Sequence, residues 1–184
     1  AETITLELTN PLPNRGRWVK ATLGTPNMAT LTVIDDESVN EPAGSLDTAF
    51  NRSAGANDFV KVIALLPDDK FMIGGDFTQV NGLFRDRIAR LNPDGTIDPT
   101  FSLGQGVNNS VRAIAIQPDG RAILTGSFTS VDGVNRNRIA RLNYDGSVDG
   151  TFNPGGGADN PIQAVVLQPD GRVLISGDFS TYNG

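Results

Sequence analysis

The sequence predicts an all-β protein of β-propeller-type blades: nearly three four-stranded repeats of 51 residues, preceded by a partial β-sandwich hairpin. Three observations predict it. First, LLPDDKFMIGGDFTQVNG, IQPDGRAILTGSFTSVDG and LQPDGRVLISGDFSTYNG begin at Leu65, Ile116 and Leu167, without insertion or deletion between copies. A fixed period of this length marks one supersecondary unit that hides its faces only by stacking on neighbours. Second, short apolar runs are punctuated by Asp-Gly and Asn-Gly, in a chain with 21 glycines and 11 prolines, the signature of strands joined by tight turns. Third, the first two runs of each copy are apolar on both faces, as in a sheet held between two other sheets.

Residues 1–37 stand outside the repeat. Ile4, Leu6 and Leu8 alternate with Thr3, Thr5 and Glu7, and Ala29, Leu31 and Val33 alternate with Thr30 and Thr32. Period two reads as half-buried strands over 3–8 and 29–33. The connection over 10–28 holds Pro11, Pro13, Gly16, Gly24 and Pro26, and places Trp18 and Val19 to cover one end of a core. A lone hairpin is marginal in water, so this one is expected to pack on other strands. SVNEPA, residues 38–43, is the expected linker.

The repeats fill 44–184. In the middle copy, 111–116 reads as a strand and Gln117-Pro118-Asp119-Gly120 as a hairpin turn. The returning strand is 121–128, and Val131-Asp132-Gly133 forms a loop. RIARLN, 138–143, is a third strand, Asp145-Gly146 turns again, and 147–152 is a fourth, outer strand. The preceding copy has Pro99 there; proline donates nothing to a ladder, which suits an edge. Gly74-Gly75, Gly126 and Gly177 imply close backbone approach. Phe77, Phe128 and Phe179 are the expected core between blades, and Arg90 and Arg141 are placed to reach the carboxylate of a neighbouring turn. The first copy departs at Asp69, where Gly120 and Gly171 stand in the others, which weakens its first turn. Fewer than three copies do not close a ring of roughly four to eight blades. The chain is thus expected to combine with further copies of itself or with the rest of a longer chain.

Composition narrows function. There is no cysteine and no histidine, which removes thiol and imidazole chemistry. The net charge of −6 disfavours nucleic acid and anionic membrane as partners, and no apolar run approaches the roughly 20 residues of a membrane span. Asp94 with Asp98, and Asp145 with Asp149, place two carboxylates four apart across a turn; the earliest copy keeps only Asp47. Such pairs suit a cation or acid–base chemistry, but recurrence with the repeat favours a turn-building role. Gly155-Gly156-Gly157 lacks the Lys-Ser/Thr of a phosphate loop and reads as a plain loop.

ETITLELTNP followed by ATLTVIDDE resembles the last third of a Calx-beta domain. The resemblance implies an immunoglobulin-like sandwich with Ca²⁺ at one end, and makes Asp35, Asp36 and Glu37 the candidate metal ligands. The pattern PDG-[KR]-x-[ILM]-[IL]-x-G-x-F, then [DN]-R-I-A-R-L-N-x-D-G-[ST]-[ILV]-D-x-[AT]-F, resembles the delta-60 repeat, a kelch-like propeller module of bacterial surface proteins, over 44–184. The function expected is non-enzymatic: a structural, adhesive or self-assembling segment of a bacterial extracellular or cell-surface protein. Its propeller faces would meet ligands, a glycan or a surface protein, through loops such as Asn81-Gly82-Leu83-Phe84 and Asp132-Gly133-Val134-Asn135. The alternatives are a Ca²⁺- or glycan-binding module, the cation held by Asp35, Asp36 and Glu37, and a fragment of a secreted propeller enzyme.

Overall fold

The computed structural model describes Phe50 and residues 55–183, with the backbone of two short strands before them. The chain divides into two units, Ala1–Asp47 and Thr48–Gly184. In the first, β1 (Arg17–Trp18) pairs antiparallel with β2 (Ile34–Asp35), setting Arg17 opposite Asp35 and Trp18 opposite Ile34. Trp18, expected in a connection, is therefore a strand residue. The strands expected over 3–8 and 29–33 and the linker over 38–43 lie outside the described residues, as do Asp36 and Glu37.

The described residues of the second unit form three successive main sheets and two small two-stranded ones, all antiparallel. The first copy forms β3 (Val60–Leu65), β4 (Phe71–Gly75), the small hairpin β5 (Gln79–Val80) and β6 (Leu83–Phe84), and β7 (Ile88–Leu91). The second forms β8 (Val111–Ile116), β9 (Ala122–Gly126), β10 (Ser130–Val131), β11 (Val134–Asn135) and β12 (Ile139–Leu142). The third contributes β13 (Ile162–Leu167) and β14 (Val173–Gly177). The sheet orders are β3-β4-β7, β12-β9-β8 and β13-β14. The first strand of each copy is thus an edge, and these edges lie nearest one another from sheet to sheet. No helix among the described residues is long and apolar enough to cross a membrane.

Side chains alternate across each strand, so every sheet has two apolar faces. Met72 and Ile88 of the first sheet pack with Ile114, Leu124 and Leu142 of the second. The opposite face of the second sheet, Ile123 and Ile139, packs with Ile162, Val165 and Ile175 of the third. Burying a side chain of this size contributes about 1.5–3 kcal/mol, so this stacking dominates the unit's stability. Phe77 and Phe128 are fully buried, and Phe179 packs in the third cluster. The glycines act as expected: a Cβ at Gly75, Gly126 or Gly177 would collide with the carbonyl oxygens of Phe59, Ser110 and Pro161.

Two details differ from the sequence reading. The loop at Val131-Asp132-Gly133 is the tip of the β10–β11 hairpin, with Asp132 at φ 47° and Gly133 at φ 72°, the left-handed pair of a type I′ turn. The fourth strand is reduced to single bridges, Leu91 to Ile97 and Leu142 to Val148. The cause is local. Asp149 Oδ1 accepts from the backbone N–H and hydroxyl of Thr151 at 2.8 and 2.6 Å, so its carboxylate diverts donors a ladder would need. In the first copy, Pro99 brings no N–H at all.

Candidate functional site

Two recurring polar constellations hold the charged groups of the repeats. The first joins each turn aspartate to the third-strand arginine. Arg90 is 1% exposed and Asp98 2%. Arg90 Nε donates to Asp98 Oδ2 at 2.8 Å and Nη2 to Thr100 Oγ1 at 3.0 Å; Nη1 donates to the Tyr144 carbonyl in the next copy. The guanidinium also lies over the rings of Phe101 and Tyr144, 5.0 and 4.2 Å from their centroids. Lys70 adds a second cation, 3.0 Å from Asp98 Oδ2. Burial alone raises the Asp98 carboxyl, but the Thr100 hydroxyl and N–H, Lys70 and Arg90 together hold it well below the usual carboxylate range.

The second copy repeats the node with Arg141, Asp149 and Thr151, and Arg121 takes the place of Lys70 at 3.1 Å. The Thr151 hydroxyl and N–H, then Arg141, hold Asp149 low in the same way. Asp94 and Asp145 are spent elsewhere: each accepts from the residue two ahead, Thr96 and Ser147. The paired carboxylates are therefore turn and ion-pair residues with separate partners. Among the described residues no group of three acidic side chains is placed to hold a metal. Of the candidate ligands Asp35, Asp36 and Glu37, only Asp35 falls on a described strand.

The second constellation lies along the edge strands, and the sequence reading missed it. Each of β3, β8 and β13 carries a register shift near its start, between Val60 and Val62, Val111 and Ala113, and Ile162 and Ala164. The skipped residues are Lys61, Arg112 and Gln163. A bulge leaves its extra residue unpaired and re-aims its side chain. All three reach the residue after the last glycine of the second strand of their own sheet, Gly75, Gly126 or Gly177: Lys61 to Asp76 at 2.6 Å, Arg112 Nε to Ser127 Oγ at 3.0 Å, and Gln163 Nε2 to Asp178 Oδ2 at 2.7 Å. They also link successive copies. Lys61 donates to Ser110 Oγ at 3.0 Å, and Arg112 Nη1 to Gln163 Oε1 at 2.7 Å across 51 residues. The result is a row of hydrogen-bonding side chains crossing the sheets at their mutually close edges. Only polar residues at 61, 112 and 163, in strands otherwise apolar, could have signalled it.

The hairpin loops form a third feature. Leu83 and Phe84, on β6 just past the Asn81-Gly82 tip, and Val134, in the matching place on β11, are exposed. Phe84, Arg85 and Asp86 rim a shallow depression shared with Phe101, Leu103 and Gly104. A preceding polar side chain anchors each of the two hairpins and the matching stretch of the third copy: Asn57, Asn108 and Asp159 each accept two backbone N–H groups, at 78–79, 129–130 and 180–181.

The family model described as a β-propeller domain of unknown function (DUF5122) matches residues 66–101, 117–152 and 168–184, one segment in each copy and in the same register. No curated protein and no solved structure matches the chain. Stacked sheets at a constant period, with their first strands drawn together, and a propeller family model on every copy lead to one conclusion: this chain is a β-propeller repeat protein.

Proposed function

We propose that the chain is a non-enzymatic, assembling segment of a bacterial extracellular or cell-surface protein, built from repeats of the delta-60 type behind a Calx-beta-like stretch. Its work is to mate, sheet on sheet, with further repeats of its own kind. One observation carries this reading. On the first sheet Ile63 and Leu65 are each 68% exposed, and on the third Val166 and Leu174 are 58% and 54% exposed. The residues 51 positions away tell what such positions are for. Ile114 and Ile116, matching Ile63 and Leu65, pack against the sheet before them. Met72 and Ile123, matching Leu174, are buried against the sheet after them. The two exposed faces are thus opposite halves of a junction already formed twice within the chain. Contacts between unlike faces propagate head to tail and close into rings or run on as filaments. The acidic surface and the use of the turn carboxylates in structural networks fit a scaffold.

The test uses complementation. Wild-type chain, Ile63→Glu and Leu174→Glu are compared by sedimentation at high micromolar concentration. Wild type is expected to associate and each variant alone to be monomeric. An equimolar mixture, which pairs one intact face from each variant, is expected to give a 1:1 dimer. A monomeric wild type, or a mixture that fails to pair, would overturn the reading.

A further inference from the structure

The row of bulge residues breaks its own rule at one rung. In the first copy the bulge cation Lys61 has a carboxylate partner, Asp76. In the third the bulge residue Gln163 is neutral and carries its own carboxylate, Asp178. In the second the bulge residue is an arginine and its partner is Ser127. The guanidinium of Arg112 therefore meets only neutral oxygens, Ser127 Oγ at 3.0 Å and Gln163 Oε1 at 2.7 Å, and forms no ion pair among the described residues. Its Nη2 donors have no partner there. Gln163 is turned by Asp178, which fixes its amide and aims its oxygen at Arg112. Arg112 is partly buried, so solvent screens it incompletely, and its neighbours hold it in one place. A fixed guanidinium with unspent donors matches a carboxylate better than a point charge does.

We propose that Arg112, seated by Ser127 and Gln163 on the inner edge of β8, binds the carboxylate of a small organic acid. The neighbouring rungs define the ligand. Asp76 is neutralised by Lys61, but Asp178, bonded to Gln163, has no cation on it among the described residues, so a single negative charge is favoured at Arg112 over a phosphate dianion. The polar side chains alongside, Lys61, Ser110 and Gln163, suit a ligand that also carries hydroxyls. The class indicated is a sugar acid or a short hydroxy acid. This proposal is independent of the assembly reading, since the rung is complete within one chain.

The test follows the side-chain Nε–H signal of Arg112 by NMR while sodium glucuronate or sodium acetate replaces sodium chloride at constant ionic strength. A saturable shift of that signal, absent with phosphate, is expected. Shifts with both acids identify the carboxylate alone as the recognised group, and shifts with glucuronate only add the hydroxyls. Ser127→Asp, which builds the missing carboxylate into the chain, is expected to abolish the shift and raise the melting temperature. Ser127→Ala, which frees Nε, is expected to keep binding and keeps the test open if the aspartate variant does not fold. No shift with either acid, an equal response to phosphate, or undiminished binding in folded Ser127→Asp overturns the proposal.

Discussion

Replacing Arg90 and Arg141 by alanine should damage the protein to very different degrees, although the two residues occupy the same place in successive copies. Arg90 is almost fully buried. Its removal strips a charge-assisted partner from Asp98 and from the Tyr144 carbonyl, and takes a cation from two aromatic faces. Breaking a buried pair from one side costs about 3–5 kcal/mol. Lys70 remains 3.0 Å from Asp98 and limits the loss of charge balance, while the vacated stem leaves a cavity, so about 4 kcal/mol is expected. The Arg141 side chain is 16% exposed. It contacts one ring, that of Phe152, at 5.0 Å, its bond to Thr151 is longer at 3.3 Å, and Arg121 stays on Asp149. About 1.5–2 kcal/mol is expected there. For a chain of this size each kcal/mol moves the melting temperature by roughly 2–4 °C. Arg90→Ala should therefore melt well below Arg141→Ala in calorimetry and in urea titration. Equal losses, or a loss below about 1 kcal/mol for Arg90→Ala, would refute the account of the node as a buried junction between copies.

Three further outcomes are expected of the same fold. Asp69 sits at φ 63° where Gly120 and Gly171 take φ 80° and 83°; Asp69→Gly should relieve that strain and stabilise the chain by about 0.5–1 kcal/mol, seen as a higher urea midpoint. Gly126→Ala drives a methyl into the Ser110 carbonyl and should cost at least about 2 kcal/mol by the same measurement. Stability should fall in acid. Asp98 and Asp149 are held below their ordinary value, and the Ser180 hydroxyl, against a smaller effect of burial, lowers Asp159 to about 2. The unfolded chain binds protons first as pH drops. The contribution is whole above about pH 4 and fades as pH falls toward the folded values. Asp98→Asn with Asp149→Asn should flatten the acid limb of a stability-versus-pH curve; an unchanged slope would show that other groups carry it.

Much of the fold was legible because the chain states it three times. The period, the Asp-Gly turns, the glycines that meet carbonyls and the arginine that reaches a turn carboxylate were all readable from residue type and spacing. The outer strand was misjudged because alternation at 147–152 looks extended, whereas the Asp149 carboxylate competes locally for the backbone. The β10–β11 hairpin was missed because strands of two residues carry no periodic signal. The edge row was hidden for a different reason. Lys61, Arg112 and Gln163 fall in apolar strands, where a polar residue reads as a solvated end; only the paired register shows that each is an inserted residue turned out of the ladder.

The stretch from Ile97 to Leu103 belongs to two bodies at once. Ile97 bridges to Leu91 and Asp98 holds Arg90 on one side, while on the other Ser102 N donates to the Asp145 carbonyl at 3.0 Å and Phe101 lies against Gly146. Phe50 meets Gly95 in the same manner one period earlier. No scissor cut between the first and second copies leaves both intact, because the first carries a clasp for the second. Whole periods, by contrast, can be gained or lost from any starting point without opening a single clasp. Such a chain lengthens by unequal exchange far more easily than it divides.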